Sequence, residues 1–185
     1  MDSAIRKEEL HTIEEIENMP ENVRAELIDG EIYMMSPPVP NHQRIISKLI
    51  YRIEGYIAEK GGNCEVFPAP FGVYLNNDDY NYLEPDISVI CDPSKIDNKG
   101  CHGAPDWVIE IVSPSSKRRD YIIKSYKYSE AGVREYWIVD PESRRIIVYD
   151  FENDNMSMFS FDDKVKAGIY EDLEIDFAEI KGQLM

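Results

Sequence analysis

The chain has no apolar run approaching the 18 residues that a membrane-spanning helix needs; its longest apolar stretches are strand-length. It has only three cysteines, Cys64, Cys91 and Cys101, too few and too odd in number for a disulfide framework. A reducing, cytoplasmic setting is therefore expected. The opening MDSAIRKEEL lacks an apolar h-region, so no secretory signal is expected. Basic residues are scarce: 20 Lys and Arg stand against 36 Asp and Glu, a net charge of -16. Such a chain has no global attraction for DNA, RNA or anionic lipid. Repeats, low-complexity tracts and linkers are lacking too, so residues 1–185 are expected to form a single domain.

What is present is unevenly spread. Residues 1–31 hold ten acidic and three basic side chains, and residues 150–185 hold the same numbers. Between them Lys117, Arg118, Arg119, Lys124 and Lys127 face only Asp120, a local +4 within eleven residues. An anionic ligand would be met there; the plain alternative is a solvated helix face.

Periodicity sets the element order. Residues 12–19 read as a short helix stopped by Pro20, and Asp29-Gly30 between two short runs reads as a two-residue hairpin turn. After the proline-rich 36–40, Ile45, Ile46, Leu49, Ile50, Ile53 and Ile57 form one stripe of an amphipathic helix, ended by Gly61-Gly62. Strands are expected at 63–67, 72–75, 84–90 and 107–112, a helix at 120–131, and strands at 135–139, 145–151 and 156–159. The core order is helix, three strands, helix, strand, with extra strands at both ends. That order makes an α/β (α+β) sandwich, a mixed central sheet flanked by helices.

The chemistry concentrates in the middle. Asp86 opens an apolar strand, and Glu110 interrupts the apolar run Trp107–Val112 on the next. Acids within buried strands need a partner. Two of them on consecutive strands can converge on one divalent cation, and hard oxygen ligands suit Mg²⁺ or Mn²⁺. The plain alternative is a pair of strand-end acids capping loops or bridging to Arg119. Asp106, in a second Pro-Asp pair, lies four residues from Glu110 on the same strand, roughly 13 Å away and too far to share an ion.

The stretches ELIDGEIYMMSPP (26–38), His42-Gln43, LEPDISVI (83–90), GAPDWVIEIVSPSS (103–116), Arg119-Asp120, Lys124, Tyr128 and AGVREYWIVDP (131–141) carry a resemblance. In order and spacing they resemble the Uma-two family of restriction endonucleases, within the PD-(D/E)XK nuclease superfamily. The resemblance implies a restriction-endonuclease-like fold, with Asp86 and Glu110 as metal ligands helped by the carbonyl of Ile111. The superfamily's usual lysine, two positions after the second acid, is Val112 here. The resemblance implies that Lys124, on the following helix, takes its place, with Lys127 the competing donor. On this basis Lys124→Ala should leave metal binding nearly intact and remove most hydrolysis. His42, just inside the long helix, would line the cleft or bind phosphate, and Glu26 or Glu31 would supply an auxiliary acid.

The implied activity is a Mg²⁺-dependent (or Mn²⁺-dependent) endonuclease on nucleic acid, DNA first, acting as a homodimer if both strands of a duplex are cut symmetrically. The alternatives are a catalytically silent nuclease-fold binding or scaffolding protein, and a metal-dependent phosphodiesterase on a small substrate. Residues 113–116 could offer hydroxyls and N–H groups to a phosphate. Cys101-His102 with Cys91 gives only a faint zinc signal, since no second Cys-His pair follows.

Overall fold

The structure, a computed structural model, describes residues 10–76 and 78–184. A short helix α1 (Ile13–Glu17) precedes a hairpin of β1 (Ala25–Ile28) and β2 (Glu31–Met34). The hairpin turn is Asp29-Gly30 with both residues at positive φ, 52° and 78°. That is the geometry a two-residue turn needs to match strand twist, and why glycine stands there. Helix α2 (Pro40–Lys60) starts with proline in its first turn and ends on Gly61 in the left-handed region.

After α2 come β3 (Glu65–Pro68), β4 (Val73–Tyr74), β5 (Tyr82–Leu83), β6 (Ile87–Ile90), β7 (Cys101–His102) and β8 (Trp107–Ile111). A π-helical turn, Arg119–Lys124, runs into α3 (Ser125–Ala131), followed by β9 (Glu135–Asp140), β10 (Arg145–Asp150) and β11 (Asn155–Ser160). The chain closes with a small hairpin, β12 (Lys164–Lys166) and β13 (Glu174–Asp176), and α4 (Phe177–Lys181).

The central sheet has six strands in the order β11-β10-β9-β8-β6-β3. Only β8 and β9 pair in parallel within it, and the helical segment 117–131 makes their crossover. A second sheet, β2-β1-β5-β4-β7, stands apart. The class is thus α+β with mixed sheets flanked by helices, and α2, β3-β6-β8, α3 and β9 realise the core order read from periodicity.

Strand β8 shows how the sheet is packed. Trp107, Ile109 and Ile111 join one apolar cluster with Ile45, Leu49 and Ile53 of α2. Val108 and Val112 join the other, with Tyr128 of α3, Tyr136, and Val73 and Leu83 of the second sheet. The alternation of a strand thus assigns Glu110 to the face away from α2.

Several expectations change. The strand expected over 84–90 is shorter, β6 at Ile87–Ile90; Glu84-Pro85-Asp86 links it to β5 of the second sheet, and proline cannot donate to a ladder. Residues 73–74 and the 25–34 hairpin belong to the second sheet rather than the first. Cys64 and Cys91 form a disulfide. They extend the β3–β6 register, in which Glu65 opposes Ile90, so they face each other directly across the pair. The cysteine count therefore carries no argument for a reducing compartment. Among the described residues no helix is long and apolar enough to cross a membrane.

Candidate active site

The register of β6 and β8 determines where the two acids fall. Ile87 opposes Ile109 and Ser88 opposes Val108. One step beyond the ladder, Asp86 opposes Glu110 on the same face. Side chains directly opposite have Cβ atoms about 4.5–5.5 Å apart, and two like charges there repel. The surrounding groups answer that repulsion.

Lys124 is one of them. Its side chain is 2% exposed, and its Nζ lies 2.6 Å from Glu110 Oε1 and 2.7 Å from Glu26 Oε1. It reaches them from the helix that crosses over between β8 and β9, while Val112 packs into the core beside Val108 and Tyr128. Asp120, Lys124 and Tyr128 are spaced i, i+4, i+8, one inward stripe of the helical segment, and all three are buried. The Tyr128 hydroxyl donates to Glu110 Oε1 at 2.9 Å. Asp120 lies 3.8 Å from Lys124 Nζ. The spacing alone gave Asp120 and Tyr128 no role; the stripe they share with Lys124 is the signal that places them.

On the opposite flank His42 Nε2 lies 3.1 Å from Asp86 Oδ2, and Ile111 N–H donates to the same oxygen at 2.8 Å. The start of α2 and the end of β8 thus hold one Asp86 oxygen between them. Burial alone would lower the His42 pKa, but Asp86 and the Ile111 carbonyl outweigh it, and the net direction is upward. Glu26, on β1, is fully buried. Its Oε2 lies 3.2 Å from Arg119 Nε, and its Oε1 also accepts from the Glu84 N–H at 3.1 Å. Of the two acids flanking the turn, Glu26 joins the cluster. Glu31 does not: it is exposed and takes a hydrogen bond from Tyr33.

Other candidates fall outside the cluster. Lys127 pairs with Asp29 at 2.6 Å. Asp106 accepts from the Cys91 N–H at 2.8 Å and faces Arg134 at 3.3 Å, a structural pairing. Ser113 and Ser116 hydrogen-bond each other in the turn before the helix. Cys91 is consumed by the disulfide and Cys101 is buried, so no zinc set forms. The basic stretch is largely spent internally: Lys117 meets Asp140 at 3.3 Å, and Arg119 and Lys124 face Glu26. Arg119, Lys124 and Lys127 are thus turned to carboxylates, while Lys117 and Arg118 stay exposed, so the open part of the stretch is smaller than the local +4.

Four carboxylates, Glu26, Asp86, Glu110 and Asp120, surround two permanent cations, Lys124 and Arg119. The shortfall registers on the acids. Burial raises Glu110 to about 8 against the pull of Lys124, and Asp120, Asp86 and Glu26 push the same way. Asp120 rises to about 6, again chiefly through burial. Lys124, penalised by burial, is still held firmly protonated by Glu110, Glu26 and Asp120.

A divalent cation fits this deficit. Lys124 and Tyr128 both bind Glu110 Oε1, so Oε2, which meets only the Asp86 N–H at 3.4 Å, keeps donor capacity. The contacts on the Asp86 carboxylate fall on Oδ2, which leaves Oδ1. Among the described residues no three His, Cys, Asp or Glu side chains form a closed cage. One or two carboxylates plus water is the usual Mg²⁺ arrangement.

Comparison with known proteins gives a family and a fold. The Uma2 family model, described as "Putative restriction endonuclease", matches residues 8–175. An uncharacterized protein of Synechocystis sp., slr1290, is 30% identical over 132 residues, covering 71% of this chain and 68% of that protein. A solved structure from Anabaena variabilis, described as "a putative nuclease belonging to DUF820", matches with a TM-score of 0.77. It covers 94% of this chain and 99% of its own at 22% identity, a likeness of fold.

Proposed function

Because the chain belongs to the Uma2 family of restriction-endonuclease-like proteins, we propose that it is a metal-dependent nuclease that hydrolyses phosphodiester bonds, with DNA as substrate and Mg²⁺ or Mn²⁺ as cofactor. The observation that carries this reading is the direct opposition of Asp86 and Glu110 beside the buried ammonium of Lys124.

Asp86, Glu110 and the Ile111 carbonyl would hold the ion. Bound there, it would supply Lewis-acid polarisation of the scissile phosphate and acidify a water. Lys124 spends two of its three N–H donors on Glu110 and Glu26. The third is available to orient the water or meet the charge that develops on phosphate. Glu26 and Asp120 hold the ammonium in position and keep it charged. His42 fixes Asp86 and, when protonated, presents positive charge at the same oxygen. A homodimer would supply two such sites for symmetric cleavage of a duplex.

A second reading, a nuclease-fold binding or scaffolding module without catalysis, is favoured by Val112 at the superfamily's usual lysine position and by the net charge of -16. One assay separates the two. The protein is incubated with plasmid, linear DNA and RNA in Mg²⁺ and in Mn²⁺, beside Asp86→Ala. Metal-dependent cutting of DNA by the wild type and none by the variant is the expected result. Binding without cutting in either metal would select the second reading.

A further inference from the structure

Next to the carboxylate cluster is a cavity of about 320 Å³ whose lining includes Phe71, Tyr82, Glu84 and Lys99. Glu84 joins it to the site: its main-chain N–H donates to Glu26 Oε1, and Asp86 follows two residues later. At about 3.3 Å per residue of extended chain, the two positions are roughly 7 Å apart.

The cavity is shaped by the sequence around it. Gly72 lies against the Tyr82 ring, where a Cβ would come within 2.7 Å of a ring carbon. Gly100, at φ +148°, sits so close to the Gly72 carbonyl that a Cβ would lie 2.1 Å from its oxygen. Only glycine at both positions lets these loops close on each other.

The Glu84 carboxylate, 10% exposed, is fixed in direction. Arg24 donates to Oε2 through Nε at 2.8 Å and Nη2 at 2.6 Å, and the Tyr82 hydroxyl donates to Oε1 at 3.1 Å. Oε2 is saturated, whereas Oε1 keeps one lone pair. The hydrolytic reading uses none of this.

Those features select a ligand by chemistry. One face of Phe71 is taken by Phe67, with ring centroids 4.2 Å apart, so its other face is the one left for stacking, and the volume suits one planar heterocycle. A phosphate would meet the carboxylates of Glu84 and Asp97, while Lys99 of the same lining is paired with Glu17 at 2.8 Å. A ring that donates an N–H to a carboxylate is accepted. Cytosine, adenine and guanine each carry an exocyclic amino group, whereas thymine and uracil flank their one ring N–H with carbonyls that face the same negative charge. A base inside a duplex has committed its amino group to its partner, so the occupant must be unpaired or extruded.

We infer that this cavity is a base pocket, holding one unpaired nucleobase with an exocyclic amino group while its strand's phosphate lies at Asp86 and Glu110. The inference rests on the nuclease reading and adds the base it prefers. The test is fluorescence anisotropy in Ca²⁺, which takes the same oxygen ligands, with labelled ten-nucleotide dC, dA and dT strands checked for cleavage afterwards. Wild type should bind dC and dA on the order of tenfold more tightly than dT, the scale of one hydrogen bond to a charged group. Glu84→Gln, whose amide oxygen can still accept from Arg24, should abolish that preference. Phe71→Leu keeps the apolar packing but removes the aromatic face, so it should weaken all three strands on the order of tenfold while keeping the preference. It also carries the test if Glu84→Gln fails to fold. Equal wild-type affinities for dC and dT would overturn the pocket, as would a preference that survives in folded Glu84→Gln. If the protein cuts DNA yet shows no base preference, the pocket alone falls. If it neither binds nor cuts any strand, both readings fall.

Discussion

At the scale of single residues, Lys124 departs furthest from its linear reading. A lysine on a basic helix is ordinarily solvated, and removing it would touch only the chemistry. Here its ammonium is buried between Glu110 and Glu26. Breaking a buried ion pair by deleting one partner typically costs about 3–5 kcal/mol, because the other charge is left uncompensated. Lys124→Ala should therefore lower the urea midpoint markedly as well as reduce cleavage by about 10²–10³. A variant as stable as wild type would mean that the cluster is hydrated and loosely paired. Glu110 and Asp86 were legible as candidates because an acid inside an apolar strand is conspicuous. Glu26 was legible only as one of two choices, since nothing in the spacing says which side of the hairpin turns inward.

At the scale of elements, the π-helical turn Arg119–Lys124 brings Asp120 and Lys124 to the sheet together. Such turns carry wider i→i+5 bonding and recur at functional sites. Ile122 sits in its middle with 62% of its surface exposed, so its loss opens no cavity. Deleting Ile122 should let the segment relax to a regular α-helix and swing Asp120 and Arg119 out of line with Lys124. Far-ultraviolet circular dichroism should be unchanged while cleavage is lost; retained cleavage would show that the π turn is dispensable.

Elements with strong periodicity were readable: the stripe of α2, the β8–α3–β9 unit and the Asp29-Gly30 turn. Harder were those determined by long-range pairing. Residues 164–166 and 174–176 are three-residue strands that bury Val165 and Ile175 between charged neighbours, too short for alternation to stand out. Residues 72–75 read as a strand, but only the pairing of Val73 with Leu83 and Cys101 assigns it to the second sheet. The Cys64–Cys91 bridge depends likewise on register.

At the scale of the whole molecule, the site's charge deficit links stability to pH and metal. In metal-free protein, Glu110 and Asp120 have raised folded pKa values, about 8 and about 6, and His42 is raised too. Each binds protons more strongly folded than unfolded, so stability falls as pH rises through those values. The melting temperature of metal-free protein should thus increase as pH is lowered from 8.5 to about 6. Below the ordinary carboxylate range the trend should reverse. Asp140, whose pKa is lowered because hydrogen bonds from Ser143 and Tyr121 overcome burial, then loses its contribution as it is protonated. A flat profile between pH 6 and 8.5 would mean that the cluster carries no such deficit.

The sharing of one divalent ion by Asp86 and Glu110 is tested most directly by calorimetric titration of Mn²⁺ into wild type, Asp86→Ala and Glu110→Ala, each confirmed folded. Opposed carboxylates relieved by a cation predict one ion bound per chain in the wild type and none in either variant. Equal binding in all three proteins would contradict the shared site.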